Sequence, residues 1–234
     1  MEFSEAMEDA RESIEMAKKV GHQRAEMIGA DLAGIIELER GNFAQARAYL
    51  TRGLELSELL RAGSFVAQAR FILARLDMVE GNMQSAQENI DIALVKVREL
   101  GTAFIGPAVL AVCAELSDDA KQRTAYLQEA ERILDSGCVS HNQFHFARTA
   151  IDLGLQLSDW EAVERYALRL DAYTADQALE WPNYMIARGR ALIARENGDH
   201  SEECRNQIQQ LRNSGEQAGL RLVLSALESG MPKA

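Results

Sequence analysis

Cysteine and proline are scarce in this chain of 234 residues, which contains three of each. An odd number of widely separated cysteines does not build a disulfide framework and instead suits a reducing compartment. The first residues are acidic, without the basic start and apolar stretch of a signal peptide. We therefore expect a cytoplasmic protein.

Positive charge and long apolar runs are also in short supply. The 25 Lys and Arg residues are outnumbered by 36 Asp and Glu residues, which gives a formal net charge of −11. Binding to nucleic acid or to an anionic membrane relies on a surplus of Lys and Arg. The longest nearly uninterrupted apolar stretch, residues 103–114, is shorter than the roughly 20 residues that cross a bilayer. Neither nucleic acid nor a membrane is expected as a partner.

Helix-forming residues dominate what is present. Ala, Leu, Glu, Gln and Arg are abundant, and runs of β-branched residues with alternating polarity are lacking. A hydrophobic content of 47% supplies enough apolar material for a substantial core. The predicted fold class is all-α.

A short turn recurs at a fixed interval. The turns Gly41-Asn42-Phe43 and Gly81-Asn82-Met83 lie 40 residues apart, and so do Ser158-Asp159-Trp160 and Gly198-Asp199-His200. A period of this length is typical of a solenoid, in which each helical hairpin buries its apolar face against its neighbours. We call the helix before each of these turns helix A and the helix after it helix B.

Small residues recur at matching positions of the repeats. Gly34, Ala74 and Ala191 each lie seven residues before a turn, and Ala46 and Ala86 each lie five residues after one. This spacing resembles the tetratricopeptide repeat. The resemblance implies an α-α superhelix of about a dozen antiparallel helices.

The turns also predict how the repeats are arranged along the chain. We expect one domain over residues 1–234, with an unpaired helix B at 1–20, five hairpins within 22–215 and a closing helix at 216–228, stopped by Ser229-Gly230-Met231-Pro232. The third turn falls at Asp118-Asp119, where Asp119 is expected to cap a helix. The lack of a helix A before the first helix B indicates a fragment of a longer protein.

The C-terminal half carries a second resemblance. The segments Val139-Ser140-His141-Asn142, Asp159-Trp160-Glu161 and residues 186–192 are similar to the repeat region that follows the cyclase and ATPase modules of large bacterial adenylate/guanylate cyclases. In that family the repeat region is regulatory or forms a scaffold. Cyclase metal-binding carboxylates and a phosphate-binding loop do not occur in this sequence, so we expect no enzymatic activity.

One arrangement of residues could bind a metal. Cys138, His141 and His145 form a C-x2-H-x3-H pattern. A closed structural zinc site needs four ligands, and the pattern offers no fourth. The sequence therefore predicts neither a metal site nor any other cofactor.

The inner face of the repeats is the candidate binding surface. In the tetratricopeptide family, positions two, five and nine of each helix A tend to face a concave groove. The resemblance places seven residues there: Asp31, Phe71, Arg75, His145, Arg148, Asp152 and Arg188. The arginines could bind the carboxylates of an acidic protein segment, or they could form ion pairs within the scaffold.

Three hypotheses about function follow. The first is a non-enzymatic scaffold that binds a protein or peptide segment, within a cytoplasmic signalling protein. The second is a small-molecule sensor, which a deep pocket with Ala108 and Val112 in its wall would favour. The third is self-association as a homo-oligomer, through the open N-terminal end near Phe3.

Overall fold

The computed structural model describes residues 3–177 and 179–228, and these residues form twelve α-helices and no strand. This confirms the predicted all-α helical repeat, because helices that follow one another in sequence pack together. The chain divides into two compact units, Glu2–Val139 and Ser140–Ala234. The first unit contains α1 (Phe3–Lys19), α2 (Gln23–Glu39), α3 (Phe43–Leu59), α4 (Gly63–Val79), α5 (Met83–Leu100), α6 (Gly106–Leu116) and α7 (Ala120–Ser136). The second contains α8 (His141–Gln156), α9 (Trp160–Thr174), α10 (Glu180–Glu196), α11 (Glu202–Ala218) and α12 (Arg221–Glu228).

The four turns between α1 and α5 share a positive φ at the same position. Gly21, Gly41, Arg61 and Gly81 have φ between 53° and 80°, and they follow one another every 20 residues. The left-handed conformation lets the chain close each helix on its last carbonyls before it reverses direction. Helices of 17 or 18 residues therefore alternate with turns of constant length from α1 to α5.

Small residues set the distance between the two helices of a hairpin. A Cβ atom added at Gly34 in α2 would lie 2.6 Å from Cγ of Leu50 in α3. In the second unit, a Cβ atom at Gly154 would lie 2.7 Å from Cγ2 of Val163. Contacts this short show that the helices have no room for a larger side chain at these positions. The predicted contact point at Gly34 is confirmed.

The third hairpin is shorter than the first two. Helix α6 has 11 residues, with Pro107 in its first turn, whereas α2 and α4 have 17 each. The shorter helix accounts for the earlier turn at Asp118-Asp119. Asp119 accepts a hydrogen bond from the backbone N–H of Lys121 at 2.8 Å, which confirms its predicted role as a helix cap.

The end of the described chain differs from the prediction in one boundary. The closing helix α12 begins at Arg221 and not at residue 216, because α11 continues to Ala218. Gly219 then takes a left-handed φ of 74°, and the N–H of Leu220 donates to the carbonyl of Gly215 at 2.8 Å. The predicted stop at residues 229–232 lies outside the described residues.

Membrane-spanning helices are not found in the described part of the chain. None of its helices combines the length and the apolarity that crossing a bilayer requires.

The contact at Gly34 predicts a stability effect. We expect Gly34→Val to lower the free energy of unfolding by at least about 2 kcal/mol, because the new side chain overlaps Leu50. Ala48→Val adds the same β-branched side chain at an exposed position of α3 and should cost less than about 1 kcal/mol. Urea unfolding of both variants checks the difference. Equal losses would show that α2 and α3 are not in close contact there.

Candidate functional site

The groove residues predicted in the first unit are mostly buried. Phe71 has no exposed surface, because α4 contacts α2, α3, α5 and α6 and most of its circumference is covered. Arg75 keeps a side-chain exposure of 11%, and its Nη2 lies 3.8 Å from Oε1 of Glu39. Phe71 therefore belongs to the core, and Arg75 is paired within the scaffold.

Asp31 is the third of these residues and the most unusual. It is 1% exposed, and neither carboxylate oxygen has a hydrogen-bond partner among the described residues. Its Oδ1 lies so close to Gly53 of α3 that a Cβ atom at Gly53 would overlap it. Burial raises the pKa of Asp31 from 3.8 to about 7, because desolvation disfavours the charged carboxylate. Asp31 thus lies between α2 and α3 and offers nothing to a ligand.

In the second unit the structure brings three of the predicted residues together. Arg188 of α10 donates from Nη1 to Oδ1 of Asp152 in α8 at 2.7 Å, and from Nε to the carbonyl of Val223 in α12 at 3.3 Å. Arg148 approaches the same carboxylate, with its Nε 3.8 Å from Oδ2. Burial lowers the pKa of Arg148 to about 10, an effect that the charge of Asp152 partly offsets.

The position of these groups indicates a structural role. Arg148 and Arg188 are both buried, and Arg188 bonds to α8 and α12 from α10. The sequence left two interpretations of the arginines, binding of a partner's carboxylates or ion pairs within the scaffold. For Arg188, which pairs with Asp152, the second interpretation applies. The other predicted residue, His145, is half-buried, and its ring meets that of His141 edge-on at a centroid distance of 6.0 Å.

A metal site is not found in the described part of the chain, where no three His, Cys, Asp or Glu side chains are grouped so as to hold an ion. Cys138, His141 and His145 of the C-x2-H-x3-H pattern do not form such a group.

A row of three residues that the sequence analysis missed crosses the A helices of the first unit. The guanidinium carbon of Arg24 in α2 lies 5.7 Å from the ring centroid of Phe65 in α4. The ring of Phe65 lies 5.2 Å from that of Phe104, which precedes α6, and the two planes are tilted by 55°. Arg24 is exposed and both rings are half-buried. We call Arg24, Phe65 and Phe104 the aromatic row.

The repeat period explains why these residues meet. Helices α2 and α4 begin 40 residues apart, so their first turns lie at the same level of the stack. Phe104 follows Phe65 by 39 residues, close to the same period. Residues close to the start of successive A helices are therefore neighbours in space. This spacing is the signal in the sequence that could have identified the row.

The apolar residues that were expected to line a small-molecule pocket are not exposed. Ala108 and Val112 of α6 both have no exposed surface. A depression in the second unit is lined by polar residues of α11, among them Glu202, Asn206 and Gln210. Small-molecule pockets are mostly apolar and concave, so neither place has the expected character.

The buried carboxyl group predicts a pH dependence of stability. Between about pH 4 and pH 7 the folded chain retains a proton on Asp31 that the unfolded chain has released. The free energy of unfolding should therefore fall as the pH rises through this window, by up to about 4 kcal/mol, and should not fall further above it. Asp31→Asn should remove this slope, and Asp9→Asn at an exposed site should keep it. Urea unfolding at several pH values measures it, and the same slope in Asp31→Asn would contradict the assignment.

Two of the arginines of α10, Arg188 and Arg190, predict a contrast in stability. Arg188→Ala should lower the free energy of unfolding by about 2–4 kcal/mol, because it leaves Asp152 without its closest cation. Arg190→Ala removes an ion pair with Glu164 that is open to solvent, and should cost less than about 1 kcal/mol. Denaturant unfolding compares them. A smaller loss in Arg188→Ala than in Arg190→Ala would contradict the structural role.

Comparisons with known proteins do not identify a family for this chain. Protein-family models, curated proteins and solved structures all give no match. The resemblance to tetratricopeptide repeats of cyclase proteins therefore stays a prediction from the sequence. The geometry of the two units is the basis for a proposal about function.

Proposed function

We propose that the protein is a non-enzymatic scaffold that binds a segment of another protein at the aromatic row. The observation that carries the proposal is the alignment of Arg24, Phe65 and Phe104 across the A helices of the first unit. Aromatic side chains and arginine are enriched in protein interfaces. Aromatic rings offer a large contact area with few rotatable bonds, and arginine adds a planar group that can bind a carboxylate. A continuous row of such residues suits an extended segment.

The chemistry of the row indicates what such a segment contains. Two half-buried rings provide an apolar surface on which an aliphatic or aromatic side chain can pack. Ile28, one turn after Arg24 in α2, is 38% exposed and extends this surface. The exposed guanidinium group of Arg24 can bind a carboxylate. A segment with an apolar side chain beside an acidic one fits both features.

The buried arginines have no part in this proposal. Arg148 and Arg188 lie inside the second unit, where they approach Asp152. Changing them to glutamate would place carboxylates in the interior and disturb the fold, so loss of binding in such variants would not identify a binding surface. Variants of the aromatic row avoid this difficulty because its members reach the surface.

We also propose the kind of protein in which this scaffold acts. The sequence resemblance implies a regulatory region of a cytoplasmic signalling protein such as a cyclase, in which binding at the row would be coupled to another domain. In this setting the chain binds and does not catalyse, and it needs no cofactor.

Selection of peptides tests the proposal. We expect a displayed library of random peptides to yield binders, and Phe65→Ala to weaken the best of them at least about tenfold, because an aromatic anchor carries a large share of the binding energy. Leu59→Ala removes a side chain of α3 that is 65% exposed and should leave affinity unchanged. Fluorescence anisotropy measures the dissociation constants, and circular dichroism checks that both variants fold. Equal affinity for the wild type and Phe65→Ala would contradict the proposal.

A further inference from the structure

Three aromatic side chains of the second unit meet where α9 ends and where α8 and α10 begin. The ring centroid of Phe144 in α8 lies 5.9 Å from that of Tyr173 in α9 and 6.3 Å from that of Trp181 in α10. Both neighbouring rings stand close to perpendicular to the ring of Phe144, at 75° and 83°. We call Phe144, Tyr173 and Trp181 the aromatic corner.

The repeat accounts for two of the three rings. Phe144 follows Phe104 by 40 residues, and Trp181 follows Phe144 by 37 residues, so both lie near the start of a helix A as the aromatic row does. The row ends on Arg24, whereas the third member of the corner is Tyr173 from a helix B. The corner is therefore a second aromatic surface with different neighbours.

The aromatic corner is not closed into the core. Tyr173 is 45% exposed, and Phe144 and Trp181 are half-buried. A second edge-to-face pair of the same unit, Phe146 and Tyr166 at 5.4 Å, is at most 2% exposed. That pair belongs to the core. The rings of the corner reach the surface, where a ligand can pack on them.

The exposed charged residues that flank Tyr173 and Trp181 in the sequence are negative. Three carboxylates are exposed there: Asp171, Asp176 and Glu180. Residues 170–187 contain no Lys, Arg or His. The basic side chains that lie closest to the corner in the sequence are half-buried: His141, His145 and Arg169. Charge complementarity therefore favours a cation at the exposed side of the corner.

We propose that the aromatic corner binds an arginine side chain from a basic segment of a partner protein. The guanidinium group would stack on the exposed face of Tyr173, and its charge would be matched by Asp176 and Glu180. Arginine suits this position better than lysine, because its planar group stacks on aromatic rings and is more weakly hydrated. The unit contains one such pair already, since the guanidinium carbon of Arg165 lies 4.5 Å from the ring centroid of Tyr166.

A second copy of this chain is a poor source of the arginine. Each copy has a formal net charge of −11, so two copies repel one another. The same charge attracts a basic segment of another protein. Charge therefore assigns the aromatic corner to a different protein.

Two peptides of equal charge test the proposal. One is a labelled glycine peptide of about eight residues with arginine at every second position, and the other has lysine at the same positions. We expect the arginine peptide to bind the full chain at least about threefold more tightly, because only its side chains stack well on the rings. General attraction to an acidic protein would give equal affinities. Fluorescence anisotropy at low salt measures the dissociation constants.

Variants of the chain locate the arginine. Tyr173→Leu removes the ring but keeps an apolar side chain, and it should abolish the preference for the arginine peptide. Tyr173→Phe keeps the ring and should keep the preference. Leu168→Ala, at a position of α9 that is 52% exposed, should have no effect. Circular dichroism checks that the three variants fold.

Three results with these peptides would overturn the proposal. They are equal affinity of the two peptides for the wild type, a preference for arginine that survives in Tyr173→Leu, and no binding of either peptide. A dimer of the wild type in sedimentation that Tyr173→Leu dissociates would also overturn it, in favour of a second copy.

The outcome is separate from that of the function proposed above. The aromatic corner lies in the second unit and favours a basic segment, whereas Arg24 of the aromatic row favours an acidic one. Phe65→Ala should leave the preference for arginine unchanged, and Tyr173→Leu should leave peptides selected on the aromatic row unaffected. Failure of the arginine peptide together with binding at the row would reject the aromatic corner alone.

Discussion

The close approach of helix A to helix B is the constraint on which the first unit depends. Gly34 against Leu50 and Gly53 against Asp31 leave no room for larger side chains between α2 and α3. The left-handed turns repeat every 20 residues, so each helix meets its neighbours at the same level. The aromatic row is a consequence of this regularity, because it joins equivalent ends of successive A helices.

The same regularity decides which charged groups are structural. Helices that pack this closely bury the charged residues along their contacts. The energetic cost of burying each charge is reduced in a different way. Arg188 and Asp152 form an ion pair between α10 and α8. Asp31 has no such partner among the described residues, and its pKa is raised by burial to about 7. The surface that remains for binding is therefore more aromatic and aliphatic than the sequence suggested.

Periodicity allowed much of the fold to be predicted, because the 40-residue spacing of the Gly-Asn turns reflects the length of a hairpin. The contact at Gly34 and the cap at Asp119 followed from small and polar residues at fixed offsets. The accessibility of Phe71 could not be predicted, since it depends on how many helices surround α4. The turn at Arg61 was missed because this residue adopts a conformation usually left to glycine.

The central claim is that the regular stacking of the A helices creates a binding surface at the aromatic row. Amide hydrogen exchange of the chain, with and without a peptide selected on that row, tests it most directly. The account predicts that the peptide slows exchange in the first turns of α2 and α4 and leaves α3 unchanged. Slower exchange in α3 but not in α2 or α4, or no change in any of the three helices, would contradict the account.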